Sequence, residues 1–237
     1  MNNLKYVGTR NKDITATASQ AILKGICDDG GLFIPESIPK IDKSLKELSK
    51  LDYKGLAYEI LKLYLTDFTE EELKYCINGA YDSKFDTPAI APVVKKGDVS
   101  VLELFHGRTI AFKDMALSIL PYLMKTAAKK NGIDKEIVIL TATSGDTGKA
   151  ALEGFAGVDG IRIIVFFPED GVSPVQKLQM VTQDGSNTCV VGIKGNFDDA
   201  QTAVKTIFTD ETLKKELDDK GFIFSSANSI NIGRLVP

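Results

Sequence analysis

The residues with chemistry to offer gather in two stretches. The first, His106-Gly107-Arg108-Thr109-Ile110-Ala111-Phe112-Lys113-Asp114, places the chain's one histidine and a lysine around a glycine turn. Ile110, Ala111, Phe112, Met115 and Ala116 give Lys113 a partly apolar setting at the start of a helical pattern. Desolvation there disfavours an ammonium, and the free amine is a nucleophile for Schiff-base formation with a carbonyl compound. On residue chemistry alone, a solvated lysine beside Asp114 is the plainer reading. His106 completes no defensible triad and reads equally well as an ordinary loop residue.

The second stretch is Ile137-Val138-Ile139-Leu140-Thr141-Ala142-Thr143-Ser144-Gly145-Asp146-Thr147-Gly148-Lys149, an apolar strand run feeding a helix through small residues. Small residues let backbone N–H groups approach a ligand, and the helix terminus favours an anion. At the carboxyl end of a strand in an open α/β sheet, such a loop is where ligands bind. A tight turn with Asp146 or Thr147 as a simple cap is the competing interpretation. The Gly148-Lys149 pair does not make a Walker A loop, because Gly145 lies too close and Ala150 stands where Ser or Thr is required. A GxGxxG fingerprint after a strand is also absent.

The elements that must position these stretches fall into two parts. Residues 1–82 read as a small, mostly helical unit. TATASQAILKGIC, LKELSKL, YKGLAYEILKLYL and TEEELKYCINGAY carry helical spacing, and Thr69 with Glu72 makes a capping-box pattern. LFIPESIPKI is a proline-bounded loop or edge segment, and FDTPAIAPVV is a connection. Residues 83–237 alternate strands and helices. VSVLELF, EIVILTA, IRIIVFFP, NTCVVGI and GFIFSSAN are the expected strands. AFKDMALSILPYLMKTAAKKNG is expected as one helix kinked at Pro121, followed by helices over DTGKAALEGFAG, SPVQKLQMVTQDG and FDDAQTAVKTIFTD. Continuous apolar strands alternating with helices predict an α/β fold, an open and mostly parallel sheet with helices on both faces. If VSVLELF belongs to that sheet, both loops emerge at one edge.

Composition narrows the function classes. The chain has 237 residues, 43% hydrophobic and 26% charged, with a formal net charge of −3. That balance is ordinary for a soluble globular protein and lacks the basic excess of a nucleic-acid binder. No apolar run approaches the roughly 20 residues that span a bilayer, and no secretory leader is visible. Cys27, Cys76 and Cys189 form no CxxC pair, and one histidine cannot complete a Cys/His zinc site, so no metal is expected. A reducing, cytoplasmic location is the expectation.

HGRTIAFKD, TATSGDTG and NSINIGRL, in this order and spacing, resemble the motifs of threonine synthase, a member of the fold-type II (tryptophan-synthase-β-like) pyridoxal-phosphate enzymes. YVGTRN, GGLFIPESIP and IKGNFDDA fit the same family, so the resemblance runs the length of the chain. It implies that Lys113 forms the internal aldimine with pyridoxal 5′-phosphate, with Phe112 and Asp146 as further cofactor contacts. Asp146 would meet the cofactor's 3′-oxygen at a position that is asparagine in many relatives. Ser144, Gly145 and Thr147 would meet the substrate carboxylate; Asn228, Ser229, Asn231 and Arg234 would line the substrate site; and Lys177 would serve the substrate phosphate. The implied activity is a carbon–oxygen lyase reaction, O-phosphohomoserine and water giving threonine and phosphate, in which Lys113 is released by transaldimination and then moves protons at Cα and Cβ.

Two departures qualify the resemblance. Arg108 replaces the proline of the usual HGPT, which predicts a more mobile loop or a cation free for an anionic substrate. The glycine-rich loop that cradles the cofactor phosphate would lie beyond Pro237, so the chain reads as a truncated, N-terminal part of the enzyme. Alternatives are a catalytically incomplete fragment, or another fold-type II enzyme such as a threonine dehydratase or cysteine synthase. Oligomeric state is not legible.

Overall fold

The computed structural model describes residues 4–227 and 231–235. Strands β1 (Tyr6–Gly8), β2 (Thr15–Ala16) and β3 (Phe33–Pro35) form an antiparallel sheet in the order β2-β1-β3, a feature absent from the expected helical leader. LFIPESIPKI supplies β3 at the sheet's edge, a place that tolerates Pro35. Helix α1 (Ala18–Lys24) is capped by Thr17, whose hydroxyl accepts from Gln20 N while the Gln20 side chain bonds back. Helices α2 (Leu45–Leu48), α3 (Tyr53–Tyr64) and α4 (Glu70–Ala80) follow, the last with the expected Thr69–Glu72 capping box formed.

VSVLELF does not join the parallel sheet. Strand β4 (Val93–Lys96) pairs antiparallel with β5 (Val99–Leu102) in a separate two-stranded ribbon, so part of the expected connection FDTPAIAPVV is also strand. Gly97, at φ 61, and Asp98 turn the chain in two residues. So short a link cannot supply the crossover that parallel pairing needs, and it closes a hairpin instead. All four residues of β5 are exposed, whereas six of the seven residues of the sheet strand over Glu136–Ala142 are buried. The helix expected from Ala111 is two helices, α5 (Asp114–Leu117) and α6 (Leu120–Lys130). Pro121 lies in the first turn of α6, where its missing N–H costs nothing, and makes no mid-helix kink.

The remaining elements are β6 (Glu136–Ala142), α7 (Asp146–Phe155), β7 (Ile161–Pro168), α8 (Pro174–Val181), β8 (Thr188–Ile193), α9 (Phe197–Thr209), α10 (Glu211–Asp219), β9 (Phe222–Ser225) and α11 (Ile232–Leu235). Helix α10 has no counterpart among the expected elements: it buries no residue, and Leu213 and Leu217, four apart on one face, are its only apolar side chains. The four sheet strands run in the order β8-β7-β6-β9, every pair parallel. Alternate residues of β6 serve opposite faces, as strand geometry requires. Ile137 and Ile139 pack into a core with Leu120 and Phe155, while Val138 and Leu140 pack against Ala200 and Val204 of α9. The first of these cores is continuous with Tyr6, Leu61 and Leu73, so the N-terminal helices and the sheet share it. Among the described residues no helix is long and apolar enough to cross a membrane, and no group of three or more His, Cys, Asp or Glu is placed to hold a metal.

Candidate active site

The TSGDTG loop is built by one hydroxyl. Thr143, buried just past the end of β6, accepts from Gly145 N at 3.0 Å and Gly148 N at 2.9 Å and donates to the Gly145 carbonyl at 3.1 Å. Gly145 turns the chain into α7 at φ 153, and a Cβ there would lie 2.5 Å from the Gln176 side-chain nitrogen. Both conditions select glycine. The role of Thr143 is missing from the sequence-based expectations, although a hydroxyl two residues before glycine is a turn signal that points to it.

The HGRTIAFKD loop is held by side chains from several places. The buried Asp114 carboxylate accepts from Thr109 N at 2.8 Å and from Thr109 Oγ1 at 2.6 Å. Gly107 lies against it so closely that a Cβ would fall 2.4 Å from Asp114 Oδ2. Burial raises the Asp114 carboxyl above the usual range, with the Thr109 hydrogen bonds pulling the other way. Ile110 sits at φ 63, a strained conformation for a β-branched residue. His106 is clasped between Glu103 Oε2 at 3.0 Å from Nε2 and Asp86 Oδ1 at 2.5 Å from Nδ1, and its ring stacks on Phe105. The hydrogen bonds to Glu103 and Asp86 raise its pKa, so its task is to fasten the loop's entry.

The two loops meet at Lys113. Its Nζ is 3.4 Å from Asp146 Oδ2 and 4.5 Å from the centre of the Phe112 ring, and its side chain is only 17% exposed. Gln176 Nε2 donates to the other Asp146 oxygen at 2.6 Å and fixes the carboxylate. A cleft of about 1850 Å³ opens in front of them, with Phe112, Lys113, Ser144, Thr147 and Arg234 in its wall. Although VSVLELF is no sheet strand, the loop that follows it still reaches the carboxyl end of β6. Arg234 Nη1 donates to the Ala227 carbonyl at 3.1 Å, and burial holds its guanidinium below its ordinary value.

Other expected site residues lie elsewhere. Asn231 is fully buried outside the cleft wall, and its amide is consumed: Nδ2 donates to the Ile22 and Ser226 carbonyls, each at 2.9 Å, and Oδ1 accepts from Gly233 N at 2.9 Å. It joins the last turn of α1 to the start of α11 and leaves nothing for a substrate. Lys177 is also off the wall; its Nζ reaches the Glu169 carbonyl at 3.4 Å, over the Phe167 ring. Arg108 is paired, not free: Nη1 bonds Glu153 Oε1 at 3.0 Å, away from the cleft. Asn228 and Ser229 lie outside the described residues.

A parallel sheet that presents a lysine and a glycine-broken strand–helix loop at a cleft beyond its strand ends is the layout of an α/β small-molecule-binding protein. The family description "Threonine synthase N terminus" matches residues 5–81. A threonine synthase of Saccharomyces cerevisiae is 36% identical over 98% of this chain and 47% of its own length. Human threonine synthase-like 1 is 39% identical over 92% of this chain and 31% of its own. A PLP-bound threonine synthase from Brucella melitensis superposes with a TM-score of 0.84 at 36% identity, over 98% of this chain and 49% of that one. Over nearly its whole length the chain is similar to threonine synthases, and it spans less than half the length of the curated relatives it matches.

The residues present fit pyridoxal phosphate on the chain's own geometry. A primary amine with little exposure stands in a cleft wall beside an aromatic ring, and Ser144 and Thr147 of the strand-end loop lie in the same wall.

Proposed function

We propose that Lys113 is the amine through which this chain takes pyridoxal phosphate, and that the whole protein converts O-phosphohomoserine and water to threonine and phosphate. The observation that carries the reading is the placement of Lys113 Nζ in the cleft wall, 3.4 Å from Asp146 of the facing loop. Bound cofactor supplies an electron sink for carbanions next to the amino group. Lys113, once free, holds and moves the protons at Cα and Cβ of the substrate. Asp146 would take the cofactor's 3′-oxygen and Phe112 would pack on its ring; Ser144 and Thr147 would offer their hydroxyls to the substrate carboxylate, while Gly145, its N–H already spent on Thr143 Oγ1, shapes the loop. Arg234, one of several cations in the wall with Arg10, Lys24 and Lys205, is offered to the substrate phosphate, and Asn228 and Ser229 precede it in the same segment. The Brucella relative solved with PLP bound, at 36% identity, supports the cofactor. The division into units 1–82 and 83–237 and a cytoplasmic location belong to the same reading.

Incubation with pyridoxal phosphate, borohydride reduction and peptide mapping test it. The adduct is expected on Lys113 and absent from K113A, with the variant's melting temperature close to that of the parent chain. An adduct spread over surface lysines, or unchanged in K113A, refutes the assignment. For the full-length protein, phosphate release from O-phosphohomoserine distinguishes this activity from 2-oxobutyrate formation from threonine.

A further inference from the structure

Behind the Lys113 loop lies a second, polar cavity of about 590 Å³, with Arg108, Asp114, Lys149, Glu153 and Gln183 among its walls. The reaction proposed above uses none of these residues. We propose that Arg108 and Glu153 form a positioning pair that latches the loop carrying Lys113 onto α7, so that the Lys113 amine is presented at Asp146.

The loop needs such a fastening. Ile110 at φ 63 stores strain between Arg108 and Lys113, and its side chain is exposed, so no packing at that residue holds the turn down. Thr109 is tied to Asp114, the first residue of α5, which braces the exit of the turn and leaves its Arg108 side to another partner. Ties to α7 come from two side chains, one on either side of the strained residue. Lys113 meets Asp146 at the first turn of α7, and Arg108 meets Glu153 near its last turn, so the loop is held at two points along one rigid rod.

Glu153 is a fixed anchor. Its carboxylate is 19% exposed, its second oxygen accepts from Lys149 Nζ at 3.4 Å, and Lys149 is itself bonded to Gln183 in the segment after α8. Gly154 alongside packs so tightly on α5 that a Cβ would stand 2.3 Å from the Leu117 carbonyl oxygen, so α7 and the helix following Lys113 are already in direct contact. A proline at residue 108 would stiffen the turn from within by fixing φ. Arginine leaves φ free and restrains the turn from outside, across 45 residues of sequence. The consequence is specific to an ion pair: with Arg108 58% exposed, the restraint weakens with salt.

The proposal rests on Lys113 being the reactive amine, and two readouts separate the two ideas. The first is amide hydrogen exchange at Thr109 and Ile110 in the chain without any ligand. The second is the rate at which pyridoxal phosphate becomes borohydride-trapped on Lys113. R108A and E153Q are each expected to raise exchange at Thr109 and Ile110 about fivefold, the scale of a partly exposed ion pair, with amides of β6 unchanged. The double variant should be no worse than either single one, the charge-reversed pair R108E/E153R should recover most of the protection, and R108P should recover part of it. High salt should reproduce the single variants in the parent chain and do nothing further to R108A. Trapping on Lys113 should slow in parallel. Unchanged exchange in both variants, or additive effects in the double variant, overturns the latch. Altered exchange with unaltered trapping overturns its role in presenting the amine. Absence of any trapped adduct in the parent chain defeats the Lys113 reading and with it the presentation role, while the exchange results still decide whether the latch exists.

Discussion

The two loops that meet at Lys113 are built on opposite plans. The TSGDTG loop belongs to one strand–loop–helix unit, and its key bonds run from Thr143 to residues no more than five positions away. The HGRTIAFKD loop leaves a two-stranded hairpin, and beside the local tie of His106 to Glu103 its entry and its reach to α7 depend on partners 20 to 45 residues distant: Asp86 for His106, Asp146 for Lys113, Glu153 for Arg108. One loop is rigid by local backbone geometry, the other by charged side chains meeting in space. Backbone hydrogen bonds are saturable and insensitive to salt, whereas exposed ion pairs are weak and screened. A fixed strand-end loop and Lys113 on a more adjustable support are thereby combined at one cleft.

The contrast can be broken most forcefully at Thr143. T143V keeps the shape and removes the hydroxyl, leaving the buried Gly145 amide without its acceptor; a stability loss of about 2–3 kcal/mol is expected in urea titration, and much less for T143S. A T143V chain as stable as the parent would deny that one hydroxyl builds this loop. Next comes D114A, which strips Thr109 of its buried acceptor and should cost about 1–3 kcal/mol, with D114N closer to the parent because an amide oxygen can still accept from Thr109 N. Equal losses for the two variants would show that the carboxylate's charge, and not its acceptor capacity, holds the loop.

The smallest effect concerns His106. Glu103 first, and Asp86 with it, raise its pKa above the ordinary 6.5. A base with a raised folded pKa adds stability in full below the unfolded value, and that stability is lost as pH rises through the folded one. The melting-temperature gap between the parent chain and H106Q should therefore be widest near pH about 6 and close at higher pH. A gap independent of pH would mean that the ring's stacking on Phe105, and not its charge, secures the loop entry.

Where the physics was local, the sequence was legible. The runs EIVILTA and IRIIVFFP became β6 and β7 of the parallel sheet, Thr69 and Glu72 formed their box, Ser173 and Pro174 opened α8, and Ser144 to Thr147 stood at the strand end. VSVLELF misled because apolar alternation cannot say which partner a strand will find; the Gly97-Asp98 turn decided it. Asn231 misled because side-chain type does not reveal whether a polar group is already spent, as its amide is on the Ile22 and Ser226 carbonyls, whereas Lys177 lies off the cleft wall.

By itself the sequence determined the parallel-sheet class, the caps and the strand-end loop, since hydrophobic period and turn chemistry act over a few residues. It also set Lys113 in an apolar flank, without saying what that amine would face. Only the tertiary structure decided that Lys113 stands at Asp146, that Arg108 is bound to Glu153, and that His106 reaches Asp86, because each is a meeting of side chains far apart in the chain, whose energies no local pattern records.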